Sequence, residues 1–97
     1  MNATICRAIH DRAVLQFSYD GRSRIVEPFC HGVSTAGYDV LRAYQIGGHS
    51  ESGSAPRWRL YRVSEMSGLC RTGNTFAGIR PGYNPQDQQM LRVYCHV

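Results

Sequence analysis

The sequence contains no lysine, and all 11 of its basic residues are arginine, against 7 acidic residues and a formal net charge of +4. It has no apolar run approaching the roughly 20 residues of a membrane-spanning helix, and its first residues lack the basic and apolar regions of a signal peptide. We therefore expect a cytoplasmic protein without membrane contact. Arginine-rich codon usage in a GC-rich genome explains the missing lysine without any function. The functional alternative is that arginine's planar fork pairs with phosphate and stacks on rings.

Closely spaced metal-ligand pairs are also missing. The four cysteines are dispersed with no C-x-x-C pair: Cys6, Cys30, Cys70 and Cys95. Cys6 and His10 lie four residues apart on a predicted helix and can supply half a metal site, to which Cys95, His96 and His31 can add ligands. Structural zinc sites normally show tighter pairs of ligands. The expectation is small buried thiols, with no metal and no cofactor.

Three strand-like segments between residues 13 and 63 carry arginines among apolar and aromatic residues. In the first, Leu15, Phe17 and Tyr19 alternate with polar residues and predict one buried strand face. Asp20-Gly21 supplies the positive φ angles of a tight hairpin turn, so residues 23–29 should return antiparallel. Pro28 is predicted to end that strand or to lie on a sheet edge, because proline has no N–H to donate.

The segment Y-D-V-L-R-A-Y-Q, which begins at Tyr38, predicts a strand with two different faces. Neither face is purely apolar: one carries Tyr38, Val40, Arg42, Tyr44 and Ile46, and the other carries Asp39, Leu41, Ala43 and Gln45. Such a strand can serve a core and a site at once.

The remaining segments also indicate a mainly β fold. Residues 47–56 are rich in turn formers and predict a mobile loop. Residues 57–63 predict a fourth strand, residues 64–71 a further short strand or turn, and residues 72–89 a stretch without long regular elements. Residues 90–97 alternate again and predict the closing strand.

An N-terminal helix precedes these strands. Asn2 is a suitable N-cap, and Ile5, Ala8 and Ile9 follow at helical spacing. This apolar stripe needs a partner, and the predicted partner is one end of the sheet rather than a membrane.

The order of the motifs L-x-F-x-Y, R-x-R-x-V-E-P, L-R-A-Y and W-R-L-Y-R-V resembles the WYL domain family, in particular its short standalone bacterial or phage-borne members. The tail F-x-x-x-R-P-G-Y-N-P is similar to the same subgroup, so the resemblance covers most of residues 1–97 as a single domain. It implies a small Sm-like β-barrel that senses an oligonucleotide or nucleotide in bacterial transcriptional regulation or defence. Where the family has Trp-Tyr-Leu, this chain has Asp39-Val40-Leu41.

Six residues are the candidates for ligand binding. The arginines come from three predicted strands and can offer charge-assisted hydrogen bonds to phosphate, while His31 and Tyr44 can stack a base. The full set is Arg24, Arg42, Arg59, Arg62, His31 and Tyr44. Arg59 and Arg62 face opposite ways in an unbroken strand, so Arg62 has the alternative role of pairing with Glu27, Asp39 or Glu65. Trp58 has a core position as its alternative.

Two other classes of function compete with nucleotide binding. The adjacent Cys30 and His31 point apart in a strand and cannot form a nucleophile and base pair, and no catalytic motif is present, so we do not expect an enzyme. Arginines and aromatics are also typical of protein interfaces, which makes an oligomerisation or interaction module the main alternative. A 97-residue chain is too short for a barrel beside a DNA-binding domain, so a regulatory role implies a partner protein or a homo-oligomer.

Overall fold

In the computed structural model, which describes residues 1–48 and 57–97, one helix precedes six strands. The elements are α1 (Ala3–Asp11), β1 (Ala13–Tyr19), β2 (Arg22–Ser34), β3 (Asp39–Gly48), β4 (Arg57–Arg62), a 3₁₀ turn (Val63–Glu65), β5 (Ser67–Thr75) and β6 (Met90–His96). The mainly β class with a short N-terminal helix is confirmed. The predicted loop 47–56 is wrong for Gly47 and Gly48, which belong to β3. Its other eight positions lie outside the described residues.

The first hairpin forms as its sequence predicts. Asp20 and Gly21 have φ angles of 53° and 72°, and Tyr19 pairs with Arg22 across the two-residue turn. Glycine reaches positive φ at little cost and aspartate tolerates it better than most residues, so this dipeptide fixes the register of β1 against β2. Arg24 is thereby placed opposite Phe17.

Strand β2 is longer than predicted, and it is the centre of the sheet. It pairs with β3 along most of its length, with β1 through residues 22–26 and with β6 through residues 30–34. Pro28 therefore lies inside a central strand, and the expectation that it ends the strand or marks an edge is wrong. Proline is tolerated there because β2 exchanges β1 for β6 at this point and its register against β3 shifts between Pro28 and Cys30.

The sheet is antiparallel, and its main path runs in the order β4-β3-β2-β1-β5. In a flat sheet β4 and β5 would lie about 19 Å apart, since neighbouring strands are separated by ~4.8 Å. Only residues 63–66 join them, and the Tyr19 hydroxyl of β1 accepts a hydrogen bond from the Arg62 N–H of β4 at 3.0 Å. The sheet is therefore strongly curled, but the strand pairing among the described residues is open and the predicted Sm-like barrel is not confirmed.

Helix α1 covers one face of this sheet and completes the main core. The Asn2 side chain accepts a hydrogen bond from the Ile5 N–H at 3.0 Å, as the predicted N-cap requires. Ile5, Ala8 and Ile9 are buried. They pack with residues of four strands: Ala13, Leu15, Phe17, Val26, Leu41, Ala43 and Tyr61. Within the described residues no helix is long and apolar enough to cross a membrane.

A disulfide joins α1 to β6. The Cys6 and Cys95 sulfur atoms are bonded, with Cα atoms 5.7 Å apart. The expectation that all the cysteines are free thiols is therefore wrong for this pair, because helix docking brings together two residues that the sequence separates by 89 positions. Cys30 is a free and buried thiol, as expected, whereas Cys70 is free but exposed, so the expected burial is wrong for Cys70.

The opposite face of the sheet is covered by residues 76–89, which form no helix or strand. The completely buried Phe29 is the centre of this covering. Its ring centroid lies 4.9 Å from that of Trp58 and 5.3 Å from that of Tyr83. Trp58 is therefore a packing residue, in agreement with the core position that the sequence analysis gave as its alternative. Two ion pairs also attach the segment: Arg80 to Glu27, and Asp87 to Arg42.

Candidate functional site

Two arginines from different strands line one cavity at the rim of the helix-covered face. The cavity has a volume of about 150 Å³, and its lining includes Arg24 of β2 and Arg59 of β4. The Asp20-Gly21 turn positions Arg24 by fixing the register of β2, while Arg59 lies opposite Ala43 in the ladder of β3 and β4. We call this cavity the Arg24–Arg59 pocket.

Arg24 is the most unusual side chain of this pocket, because only 4% of its surface is exposed. One terminal nitrogen donates to the Tyr19 carbonyl oxygen at 3.3 Å, and the carbon atom of the guanidinium lies 5.8 Å from the centroid of the Tyr19 ring. Its Nε is buried and has no hydrogen-bond partner. Buried polar groups normally have one, so this guanidinium retains donor capacity for an acceptor in the cavity.

One carboxylate lies in the same pocket. Asp20 lines the cavity, and no ion pair joins these two described residues, Asp20 and Arg24. Among the described residues, the lining therefore holds two cations and one anion. The net positive charge favours an anionic ligand, and the carboxylate weakens that preference.

A rigid aromatic cluster forms the floor of the pocket. The Tyr61 hydroxyl donates to Gln45 Oε1 at 3.0 Å, and the Tyr61 ring lies edge-on to both Phe17 and Tyr19, with 5.0 Å between centroids in each case. Burial raises the pKa of Tyr61 to about 12, so its hydroxyl is neutral. Tyr61 is a core residue and does not offer a free ring face to a base.

Arg42 lies on the other face of the sheet. Its Nε donates to Asp87 Oδ2 at 2.7 Å and a terminal nitrogen to Oδ1 at 3.3 Å, and it also bonds to Gln89 Oε1. Burial favours the neutral form of Asp87, but the hydrogen bonds from Arg42 and from the Gln89 backbone outweigh it, so the pKa of Asp87 is lowered. Arg42 thus fastens the covering segment and is not brought to Arg24 and Arg59.

Tyr44 shares that face with Arg42. Its ring lies 5.2 Å from Trp58 between centroids, and the Arg80 guanidinium stacks over it at 4.2 Å. Arg80 in turn donates to both carboxylate oxygens of the buried Glu27, at 2.5 and 3.0 Å. Through the contact with Arg80, the Tyr44 ring packs against the covering segment.

Arg62 faces away from Arg59, as the strand alternation predicts. Its guanidinium carbon lies 3.7 Å from the centroid of the Tyr38 ring, and one nitrogen donates to Glu65 at 3.4 Å. Glu65 was one of its three predicted partners. Arg62 lines a second cavity, next to the Arg24–Arg59 pocket.

His31 is completely buried and both of its ring nitrogens are used. Nε2 accepts from the Asn2 backbone N–H at 3.0 Å, so Nδ1 carries the proton and donates to the Val40 carbonyl oxygen at 2.8 Å. Burial lowers the pKa of His31. Its role is to connect the start of α1 to β2 and β3, and it is not positioned to stack a ligand.

Sequence reasoning missed three residues of these cavities: Tyr19, Tyr38 and Asp20. Tyr19 was assigned to the core face and Asp20 to the turn, and both assignments are confirmed. Neither assignment indicates that Tyr19 and Asp20, at the end of the hairpin, also line a cavity. The available signal was the proximity of this turn to Arg24, two residues beyond Arg22.

Comparison with protein-family models, curated proteins and solved structures finds no match for this chain. The resemblance to the WYL domain family therefore depends on the motifs alone. Within residues 1–48 and 57–97 no group of three His, Cys, Asp or Glu side chains is placed to hold a metal ion.

Proposed function

We propose that this chain is a ligand-sensing regulatory module that binds a nucleotide or a short single strand of nucleic acid at the Arg24–Arg59 pocket. The observation that carries this proposal is the buried guanidinium of Arg24, whose Nε has no acceptor and which lines one cavity with Arg59. A buried cation that is not fully hydrogen-bonded is costly to the fold. A phosphate would supply both the charge and the missing acceptors.

The predicted site residues have different roles in this proposal. Arg24 and Arg59 contact the phosphate, and Arg62 contributes from the adjoining cavity. Arg42, His31 and Tyr44 hold the sheet and its covering segment, since their polar groups or ring faces are already engaged.

Catalysis is not part of the proposal. Burial raises the pKa of Cys30 to about 11, so its thiol stays protonated at neutral pH and is a poor nucleophile. The neighbouring His31 has no ring nitrogen available as a base.

The resemblance to WYL domains supports transcriptional or defence regulation as the process and an Sm-like barrel as the finer description of the curled sheet. A regulatory partner protein or a homo-oligomer would transmit the signal. A cytoplasmic location belongs to the same proposal. The Cys6–Cys95 disulfide weighs against it, since structural disulfides are rare in reducing compartments. Thiol labelling in the host cell distinguishes the two locations.

The second candidate function is a protein-interaction or oligomerisation module. Among the described residues β6 pairs only with β2, so its other edge is open, and Leu91 and Val93 on this strand are 71% and 42% exposed. An open edge with apolar side chains favours pairing with another strand. A second copy of the chain is the simplest partner, because two β6 strands can pair across a two-fold axis.

The binding of a labelled single-stranded oligonucleotide, measured by fluorescence anisotropy over a range of salt concentrations, tests the first function. Arg24→Gln should weaken binding and reduce the salt dependence by roughly one unit of slope for one lost phosphate contact. The exposed Arg7 of α1 supplies a control of equal charge change, and Arg7→Gln should leave the slope nearly unchanged. Equal effects of both variants would contradict the pocket assignment. Salt-insensitive self-association without oligonucleotide binding would favour the second function.

A further inference from the structure

A second cavity of about 300 Å³ shares Tyr19 and Leu60 of its lining with the Arg24–Arg59 pocket. We call it the Tyr38–Arg62 pocket after the side chains that stack in its wall. Its size falls at the lower end of the range for small-molecule sites. It is twice the volume of the neighbouring pocket, so the two cavities can accept groups of different size.

The Tyr38–Arg62 pocket has the surfaces that a flat ring needs. Val40, which is 3% exposed, and Leu60 provide an apolar floor. The Tyr38 ring is 45% exposed, and the Arg62 guanidinium lies 3.7 Å from its centroid. Nucleobases stack on both aromatic rings and guanidinium planes, so this wall presents a planar surface of the right kind.

The rim of this pocket is polar. The Gln89 side chain lines it, and its carboxamide oxygen accepts from Arg42. This bond orients the amide so that its NH₂ group is left as a donor, and the hydroxyl of Thr35 lies on the same lining. Such groups can hydrogen-bond the edge of a heteroaromatic ring, whereas a purely hydrocarbon ring offers them no partner.

Tyr19 is part of the lining of both cavities. Its carbonyl oxygen accepts from Arg24 in one pocket, and its hydroxyl accepts from the Arg62 backbone N–H beside the other. Leu60 also lines both cavities. The structure therefore brings together a small pocket that contains the unpaired Nε donor of Arg24 and a larger pocket with planar and apolar walls.

We infer that the ligand is a nucleotide unit whose phosphate occupies the Arg24–Arg59 pocket and whose base occupies the Tyr38–Arg62 pocket. This inference rests on the proposed function and adds a base subsite to it. The stacked pair of Tyr38 and Arg62 holds one face of the base, and Gln89 and Thr35 contact its edge.

Titration calorimetry with three probes tests the base subsite: inorganic phosphate, adenosine 5′-monophosphate and phosphotyrosine. The nucleotide should bind at least tenfold more tightly than phosphate. Tyr38→Ala should reduce nucleotide affinity by about tenfold, within the usual range for one stacked base, and leave phosphate affinity unchanged. Tyr38→Phe keeps the ring and should stay within about twofold of the native protein.

The outcomes separate this inference from the proposed function. If phosphate binds in an Arg24-dependent manner but the nucleotide binds no better, or if Tyr38→Ala has no effect, the base subsite is wrong and the anion site stands. Tighter binding of phosphotyrosine than of the nucleotide would show a hydrocarbon ring pocket and also overturn the inference. If neither phosphate nor nucleotide binds, both proposals fail.

Discussion

The arginines at the two faces of the curled sheet have different partners. On the face covered by residues 76–89, Arg42 and Arg80 each meet a carboxylate, and the ion pairs attach the covering segment. At the rim of the helix-covered face, Arg24 is nearly fully buried and meets no carboxylate in the part of the chain that the structure describes. A matched arginine supports the fold, whereas an unmatched buried arginine destabilises it unless a ligand completes its hydrogen bonds. The comparison therefore separates the arginines that attach the covering segment from the buried arginine on which the proposed function depends.

The largest expected effect comes from breaking the attachment of α1. The Cys6–Cys95 disulfide closes most of the chain into one loop, and loss of a native disulfide from a small domain typically costs about 2–5 kcal/mol. Cys6→Ser should lower the free energy of unfolding by this amount in urea titrations without reductant. Cys70→Ser, which changes an exposed free thiol, is the control. Equal stability of Cys6→Ser and the native protein would show that the disulfide does not hold the helix.

A smaller effect should follow from removing an acid on the other face. Asp87→Asn leaves Arg42 without its charged partner in a largely buried position, with 18% and 11% of the two side chains exposed. Charged hydrogen bonds contribute about 1.5–3 kcal/mol, so we expect a loss of about 2 kcal/mol in urea unfolding. Asp20→Asn at the Arg24–Arg59 pocket breaks no ion pair with Arg24 and should change stability little. Similar losses in the two variants would remove the contrast between the faces.

The smallest effect is a pH dependence from His31. Its pKa is lowered by burial, so the folded protein binds fewer protons than the unfolded chain, whose histidines titrate near pH ~6.5. Stability is therefore full above about pH 6.5 and should fall by about 1 kcal/mol between pH 7 and pH 5.5. His31→Gln should abolish this fall, and His10→Gln on the exposed face of α1 should not. An unchanged profile for His31→Gln would contradict the neutral, doubly bonded imidazole.

Local signals allowed most of the fold to be predicted. The Asn2 cap, the helix stripe and the Asp20-Gly21 hairpin depend on neighbouring residues, and each is confirmed. Pro28 and the Cys6–Cys95 disulfide were misread because they depend on pairing between distant segments. Proline's lack of an N–H matters only where a neighbouring strand needs that donor, and the exchange of β1 for β6 removes the need.

The candidate site was only partly predictable. Strand alternation correctly placed Arg59 and Arg62 on opposite faces, and it assigned Arg42 to the face opposite Leu41 and Ala43. The sequence did not indicate which arginines find a carboxylate, because Asp87 lies 45 residues from Arg42 and Glu27 lies 53 residues from Arg80. Such matching depends on how the irregular covering segment docks, and periodicity carries no signal for it.

Calorimetric titration of inorganic phosphate into Arg24→Gln, Asp20→Asn and the native protein tests the central claim most directly. The two substitutions change the charge of one pocket in opposite directions. The account predicts that Arg24→Gln weakens phosphate binding by at least tenfold, as expected for about 1.4 kcal/mol or more, without loss of stability, and that Asp20→Asn strengthens binding. Equal phosphate affinity in all three proteins, or a change of the same sign in both variants, would show that Arg24 is a structural arginine and that the pocket is not an anion site.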